Sequence, residues 1–459
     1  IKTIKKSSIS INDHFEKNFL FETNLIELKI ALNDIHFAKS SVDLKRAIER
    51  LKFDEHFFLQ LYLAFKNQKN LKIKSKPCFQ NSKFDKKIIE ALSFELTEAQ
   101  HRAHTQIKNS LTNSSPMNCL LQGDVGSGKT IVSILASSIA VESNFQVAIM
   151  APTEILARQH LKSFKKEFDP LKITCALLTG GMARKERDKI IDSLNNGKID
   201  LVIGTHALIQ KDVKFKKLGL VIIDEQHRFG VNQRRKLVEK GNNPHFLAMT
   251  ATPIPRTLAI TLYGDMDLCI IDEMPKNRKP VITKVIDENR LKRVYDFMAK
   301  EVALGRQCMI VYPLVEETEK SDLIAATEMY EELSKNEFSN LEVGLIHGKM
   351  EKTEKDSIMN NFSANNINIL ISTTVIEVGI DVPNSTIMLI EHAERFGLTQ
   401  LHQLRGRVGR GKNKSFCILV RRSFSENAKK RLNIMEETND GFVIADEDLK
   451  IRGPGEFFG

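Results

Sequence analysis

The sequence predicts an α/β protein of two tandem domains, each built on a parallel sheet, preceded by a small helical segment. Three observations predict it. Over 86–277, short apolar runs alternate with amphipathic stretches, at Val147–Met150, Leu201–Ile203, Leu220–Ile223 and Phe246–Met249. That alternation is what βα units produce. A polar, Pro-containing link at Met274–Pro280 then interrupts it. The pattern restarts over 278–425, at Cys308–Tyr312, Val343–Ile346, Ile369–Ile371, Ile387–Ile390 and Phe416–Val420.

The first 85 residues read differently. Leu44, Ile48 and Leu51, then Phe58, Leu61, Tyr62 and Phe65, recur at helical spacing, and the lysine-rich stretch 66–77 reads as a linker. A chain of 459 residues holds about two or three domains of ordinary size. Its 42% hydrophobic and 27% charged content is globular, and a net charge of +10 points to a polyanionic partner. Six cysteines (Cys78, Cys119, Cys175, Cys269, Cys308 and Cys417) form no C-x-x-C pair. That argues against a zinc knuckle or disulfide framework and suits a reducing cytosol. No apolar run approaches the ~18 residues of a membrane span, and no secretory signal pattern is present. The chain starts at Ile1 rather than Met and stops at Gly459, so native segments are expected on either side.

Gly123 to Thr130 reads Gly-Asp-Val-Gly-Ser-Gly-Lys-Thr and fills every fixed position of the phosphate-loop pattern G-x-x-x-x-G-K-[ST]. The apolar run Cys119–Leu121 precedes it, and Ile131, Val132 and Ile134 continue it as a helical face. Gly126 and Gly128 let backbone amides approach phosphate oxygens, and the helix N-terminus adds partial positive charge. Gly123, Asp124, Val125 and Ser127 complete the loop. Lys129 is placed for the terminal phosphates and the Thr130 hydroxyl for Mg²⁺.

Most apolar runs of this domain end in polar clusters: Ala151–Glu154, Gly204–His206, Asp224–His227 and Thr250–Thr252. Ligands bind beyond the carboxyl ends of parallel strands, so these clusters are expected on one edge with the phosphate loop. Carboxylates at a buried strand end are costly without a cation. Asp224 is therefore read as a Mg²⁺ carboxylate opposite Thr130, and Glu225 as the base for the attacking water. Gln226, His227, Thr250 and Thr252 suit a relay of the γ-phosphate state. Upstream, Phe94 can stack on a base and the Gln100 amide can pair with adenine; Thr97 equally well caps a helix.

In the second domain, Gln403 to Gly411 gathers Arg405, Arg407 and Arg410 among glycines. The guanidinium fork matches phosphate oxygens, so Arg407 and Arg410 read as fingers toward the γ-phosphate and Arg405 as a nucleic-acid contact.

These motifs, with Ala151–His160, Gly204–Gln210, Thr250–Arg256 and Ser372–Asn384, resemble in order and spacing the superfamily 2 helicases across about 90 to 420. The resemblance implies two RecA-like domains over 86–277 and 278–425, with ATP in the cleft between them and a DNA backbone crossing both. Narrower stretches are similar to the RecG family of bacterial branched-DNA helicases. They are Pro152–His160, Gly204–Gln210, Asp224–Gly230, Thr250–Arg256, Ser372–Asn384, Gly441–Phe442 and Asp448–Gly459. Ile35–Phe37 and Arg50–Glu55 resemble the segment before that motor and set it apart from the transcription-repair coupling translocases. The family's fork-splitting wedge is expected to lie outside these residues, and 426–459 reads as the start of its translocation motif.

The resemblance implies ATP-dependent movement on duplex DNA at forks and Holliday junctions. It implies DNA contacts at Thr153, Arg158, Thr205, His206, His347, Thr373 and Thr374, and coupling roles for Gly379, Asp381 and Gln403. It also implies a monomer in the bacterial cytoplasm, at the nucleoid, with single-stranded DNA-binding protein as a partner. An RNA helicase and a non-catalytic DNA-binding remnant are the competing readings. Asp-Glu-Gln-His at 224–227 counts against the first, and the intact phosphate, metal and arginine positions against the second.

Overall fold

The structure, a computed structural model, describes residues 12–71, 74–253, 264, 266–276, 278–313, 327–373, 382–411, 413–423 and 425–452. Residues 12–71 form a helical unit: α1 (Lys17–Glu22), α2 (Leu28–Phe37) and α3 (Ser41–Leu71). Arg50 is fully buried at its centre. It bonds Asp13 and Asp54 at 2.8 Å and the Ile26 carbonyl at 2.6 Å. A buried guanidinium is tolerable only when paired in this way.

The rest of the chain carries two parallel sheets. Helices α4 (Phe84–Ala91) and α5 (Glu98–Leu111) lead into the first. Its strands are β1 (Asn118–Gly123), β2 (Gln146–Met150), β3 (Cys175–Leu178), β4 (Leu201–Gly204), β5 (Leu218–Ile223), β6 (His245–Thr250) and β7 (Asp267–Ile271). The order is β3-β4-β2-β5-β6-β1-β7. β5 is buried at every position because helices cover both faces, which explains its unbroken apolar run. Register sets the site. Gln122 pairs with Thr250, Met150 with Ile223 and Gly204, and Ile223 with Ala248. The phosphate loop and the polar clusters therefore leave one sheet edge. Helix α6 (Lys129–Glu142) is buried on nearly all sides, as its run of Ile, Val, Leu and Ala requires. Helices α7 (Glu154–Phe168), α8 (Arg184–Asn195) and α9 (Val231–Val238) complete the layer.

The second sheet holds β8 (Ile282–Asp287), β9 (Gln307–Tyr312), β10 (Val343–Ile346), β11 (Ile369–Thr373), β12 (Ser385–Ile390) and β13 (Phe416–Arg421), in the order β10-β11-β9-β12-β13-β8. Its helices include α10 (Leu291–Ala303), α11 (Lys352–Ser363) and α12 (Leu398–Arg405). Helices α13 (Glu426–Glu437) and α14 (Gly441–Arg452) follow, and Leu432, Met435 and Ile444 bury against Leu398 and Leu401 of α12.

Both sheets carry the same turn. After β5 the chain reads Asp224-Glu-Gln-His-Arg-Phe-Gly230, and after β12 it reads Glu391-His-Ala-Glu-Arg-Phe-Gly397. Glu225 and His392 both take left-handed backbone, with φ of 48° and 47°. Each turn runs through a short 3₁₀ segment to a glycine whose N–H is capped by a glutamine side chain, Gln233 or Gln400.

Candidate active site

The phosphate loop bends because Gly126 and Gly128 adopt φ of 80° and 90°, a region that strains other residues. A Cβ on Gly126 would strike the Arg278 guanidinium, and one on Gly128 the Gln100 amide. The Lys129 ammonium lies along the loop, donating to Gly123 O at 2.8 Å and Asp124 O at 2.9 Å. Burial pulls its pKa below the ordinary lysine value, although Glu225, Asp224 and Asp124 all pull the other way.

A cavity of about 540 Å³ opens beside it. From the first domain it is lined by Gly126, Gly128, Lys129, Thr130, His160, Asp224 and Glu225, and from the second by Pro383, Gln403, Arg407 and Arg410. Gly123, Asp124 and Ser127 build the loop without lining this cavity. A second cavity of about 600 Å³ shares Gly128 and Thr130 with it and carries Phe94, Thr97 and Gln100 on its wall. Phe94 is exposed on that wall. Gln100 is buried: its Oε1 accepts from Thr97 N at 3.0 Å and its Nε2 donates to Ser127 O at 2.8 Å. In this arrangement the glutamine amide braces the phosphate loop.

Asp224 and Glu225 are tuned apart. Burial works against the Asp224 charge, but His160 beside it and Lys129 across the cavity outweigh burial and hold its carboxyl below the ordinary value. Burial, and then the Asp224 charge, push Glu225 up. Glu225 Oε2 accepts from Ala251 N at 3.3 Å and lies 3.6 Å from His227 Nδ1. The Thr250 and Thr252 hydroxyls meet at 2.6 Å, and Gln226 Oε1 accepts from Arg234 Nη1 at 3.1 Å. Oxygen donors at Thr130 and an ionised Asp224 on one cavity wall fit a hard divalent cation such as Mg²⁺.

Thr205 Oγ1, His347 Nδ1 and Thr373 Oγ1 are buried with no hydrogen-bond partner among the described residues, each at or just beyond the carboxyl end of a strand. Thr153 caps α7 through Leu156 N at 3.3 Å. Arg158 and His206 are exposed. Thr374, Gly379 and Asp381 lie outside the described residues.

Arg405 corrects the sequence reading. It points inward, 3% exposed, rather than toward nucleic acid. Its guanidinium donates to Met435 O and Thr438 O at 2.9 Å and to Thr283 Oγ1 at 3.3 Å, and it lies 2.8 Å from His402 Nδ1. His402 in turn meets Asp124 Oδ1 of the phosphate loop at 2.5 Å. Arg278, in the link between the sheets, donates to Val125 O and to Gly406 O. His160 and Arg278 lie within stretches that the sequence marks out, yet the sequence assigns no role to them or to His402, because each meets a residue far away along the chain.

Two facing parallel-sheet domains with such a cleft define a helicase-type motor core. The model for the DEAD/DEAH box helicase matches residues 97–260, and that for the helicase conserved C-terminal domain matches 289–412. The chain belongs to the RecG family. It is 47% identical over 98% of its length to the ATP-dependent DNA helicase RecG of Synechocystis, and 46% identical over 100% to that of Streptococcus pneumoniae. It covers 54% of the first relative and 69% of the second, so it spans little more than half the length of some relatives. A solved structure of RecG bound to a three-way DNA junction superposes with a TM-score of 0.85 at 46% identity, covering 99% of this chain and 60% of that one. Dbp5 of S. cerevisiae, bound to RNA, matches at 20% identity with a TM-score of 0.57, a likeness of fold alone. No helix among the described residues is long and apolar enough to cross a membrane.

Proposed function

We propose that this chain is an ATP-driven motor acting on branched DNA. The observation that carries the reading is that one cavity holds the loop lysine, the Asp-Glu pair and two arginines from the facing domain. The adenine rests in the adjoining cavity against Phe94, near Gln100. Backbone amides of 126–130 take the phosphates, and Lys129 exchanges its two carbonyl partners for phosphate oxygens. Thr130 and Asp224 would hold Mg²⁺, which would offset the phosphate charge. Glu225, its carboxyl pushed up by burial and by the Asp224 charge, takes the proton of the attacking water. Arg407 and Arg410 reach the γ-phosphate, so the domains close around ATP and part after hydrolysis. Gln226, His227, Thr250, Thr252 and Gln403, with Gly379 and Asp381, pass that change to the DNA.

Thr153, Arg158, Thr205, His206, His347, Thr373 and Thr374 form the DNA track. The unpartnered atoms at Thr205, His347 and Thr373 support this, since phosphate oxygens would satisfy them. Contacts to phosphates position without reading sequence, so binding is structure-directed and salt-sensitive. The junction-bound relative supports branched DNA as the substrate. The same reading carries a monomeric motor at the bacterial nucleoid, with single-stranded DNA-binding protein as a partner. Sedimentation with forked DNA, with and without that protein, tests both points. The main test is steady-state ATP hydrolysis with single-stranded, duplex, forked and RNA substrates. Strongest stimulation by forked DNA is expected. Equal stimulation by RNA, or none by any nucleic acid, would overturn the proposal.

A further inference from the structure

His160 belongs to no catalytic group in the proposed reaction, yet it is buried in the wall of the phosphate cavity. Its Nε2 lies 2.8 Å from Asp224 Oδ2, while Asp224 Oδ1 accepts from Glu225 N at 3.0 Å. An ionised carboxylate only accepts, so the proton in the first bond sits on His160 Nε2. The two bonds fix the plane of the carboxylate and leave each oxygen a further lone pair.

The position of His160 on α7 adds a second observation. Thr153 caps this helix, and Glu154 Oε1 at its first turn accepts from Gly181 N at 3.2 Å. His160 follows two turns later, about 10 Å along the axis. Ser163 and Lys166 then line the base cavity. One 15-residue helix therefore runs from the sheet edge where the DNA contacts are proposed, past the metal carboxylate, to the base.

We propose that His160 is a positioning residue. It holds Asp224 in the orientation that takes Mg²⁺, and it makes that orientation respond to whatever shifts the N-terminal end of α7. This rests on the reading of Asp224 as the metal carboxylate. Hydrogen bonds to a metal ligand commonly govern metal affinity by about 10- to 100-fold.

The test is titration of a fluorescent, non-hydrolysable ATP analogue with and without Mg²⁺, on the wild-type chain, His160→Ala, His160→Gln and Asp224→Asn. His160→Ala is expected to keep the metal-free affinity and lose about 10-fold of the gain that Mg²⁺ confers. His160→Gln, whose amide N–H still donates, is expected to recover most of it. The half-saturating Mg²⁺ for turnover should fall on adding duplex DNA in the wild type and stay fixed in His160→Ala. If the Ala variant melts early, His160→Gln against His160→Leu carries the same comparison. A wild-type Mg²⁺ response in folded His160→Ala overturns the proposal. If Asp224→Asn has meanwhile lost that response, the metal reading stands and only the role of His160 falls. If Asp224→Asn also keeps it, both fall.

Discussion

Replacing Arg405 by Met keeps the buried stem and removes the guanidinium fork. The Met435 and Thr438 carbonyls, which each accept at 2.9 Å, then lose their donor. A buried acceptor left unpaired costs about 1–3 kcal/mol. Thr438 is half-exposed, so water recovers part of its share, and roughly 2–4 kcal/mol of destabilisation is expected for the pair. At about 2–4 °C per kcal/mol for a domain of this size, the melting temperature should fall by roughly 5–15 °C. Hydrogen exchange should accelerate first in 432–445, where α13 and α14 are tied down. The assay pairs thermal melting with DNA binding over a salt series below the melting transition. An interior arginine leaves the salt slope unchanged. A slope smaller by about one, with an unchanged melting temperature, would mean that Arg405 grips a phosphate and that its interior placement is wrong.

Lys129→Ala is expected to abolish ATP turnover while retaining DNA binding; near-normal turnover would refute the phosphate-loop assignment. Glu225→Gln should bind the nucleotide yet turn it over about 10²–10⁴-fold more slowly, and a wild-type steady-state rate would exclude Glu225 as the base. A Cβ on Gly441 would stand 2.6 Å from His402 Nε2, 2.7 Å from Pro253 Cγ and 3.0 Å from Asp124 Oδ2. Gly441→Ala should therefore cost about 1–3 kcal/mol in denaturant melts, and a neutral effect would show that α14 has room to move. Asp85 is buried, but His104 at 3.4 Å and Lys108 at 2.7 Å outweigh burial and hold its carboxyl far below the ordinary value. A depressed folded-state pKa contributes stability above the unfolded value near 4 and loses it as pH falls below that. Asp85→Asn should thus melt below the wild type at neutral pH, with the gap closing under acid; a gap independent of pH would remove the charge from the explanation.

The parts legible in the sequence are contiguous ones. The phosphate loop and Asp224-Glu225 announce themselves because a fixed spacing on a strand-loop-helix unit is itself the geometry. The alternation of apolar runs reveals the two sheets because the centres of strands buried on both faces are apolar, with polar residues such as Gln122, Gln146 and Ser372 confined to their ends. What sequence could not give are pairings between distant segments: His160 with Asp224, 64 residues apart, and His402 with Asp124, 278 apart. Arg405 was misread for a related reason. Three arginines among glycines look alike on paper, but α12 ends at Arg405 and turns it inward beside His402, whereas Arg407 and Arg410 emerge beyond the helix into the cleft.

The turn shared by the two sheets separates a shape from its chemistry. In the first domain it delivers a carboxylate pair to a cavity that also holds a lysine. In the second, Glu391 is fully buried, and its partner is Arg422 at 3.3 Å. Burial pushes that carboxyl up despite the arginine. The same backbone path therefore ends at a cavity wall in one half and in a buried carboxylate–guanidinium pair in the other. Activity could be grafted onto the second turn only by supplying a phosphate loop opposite it and removing the arginine that closes it.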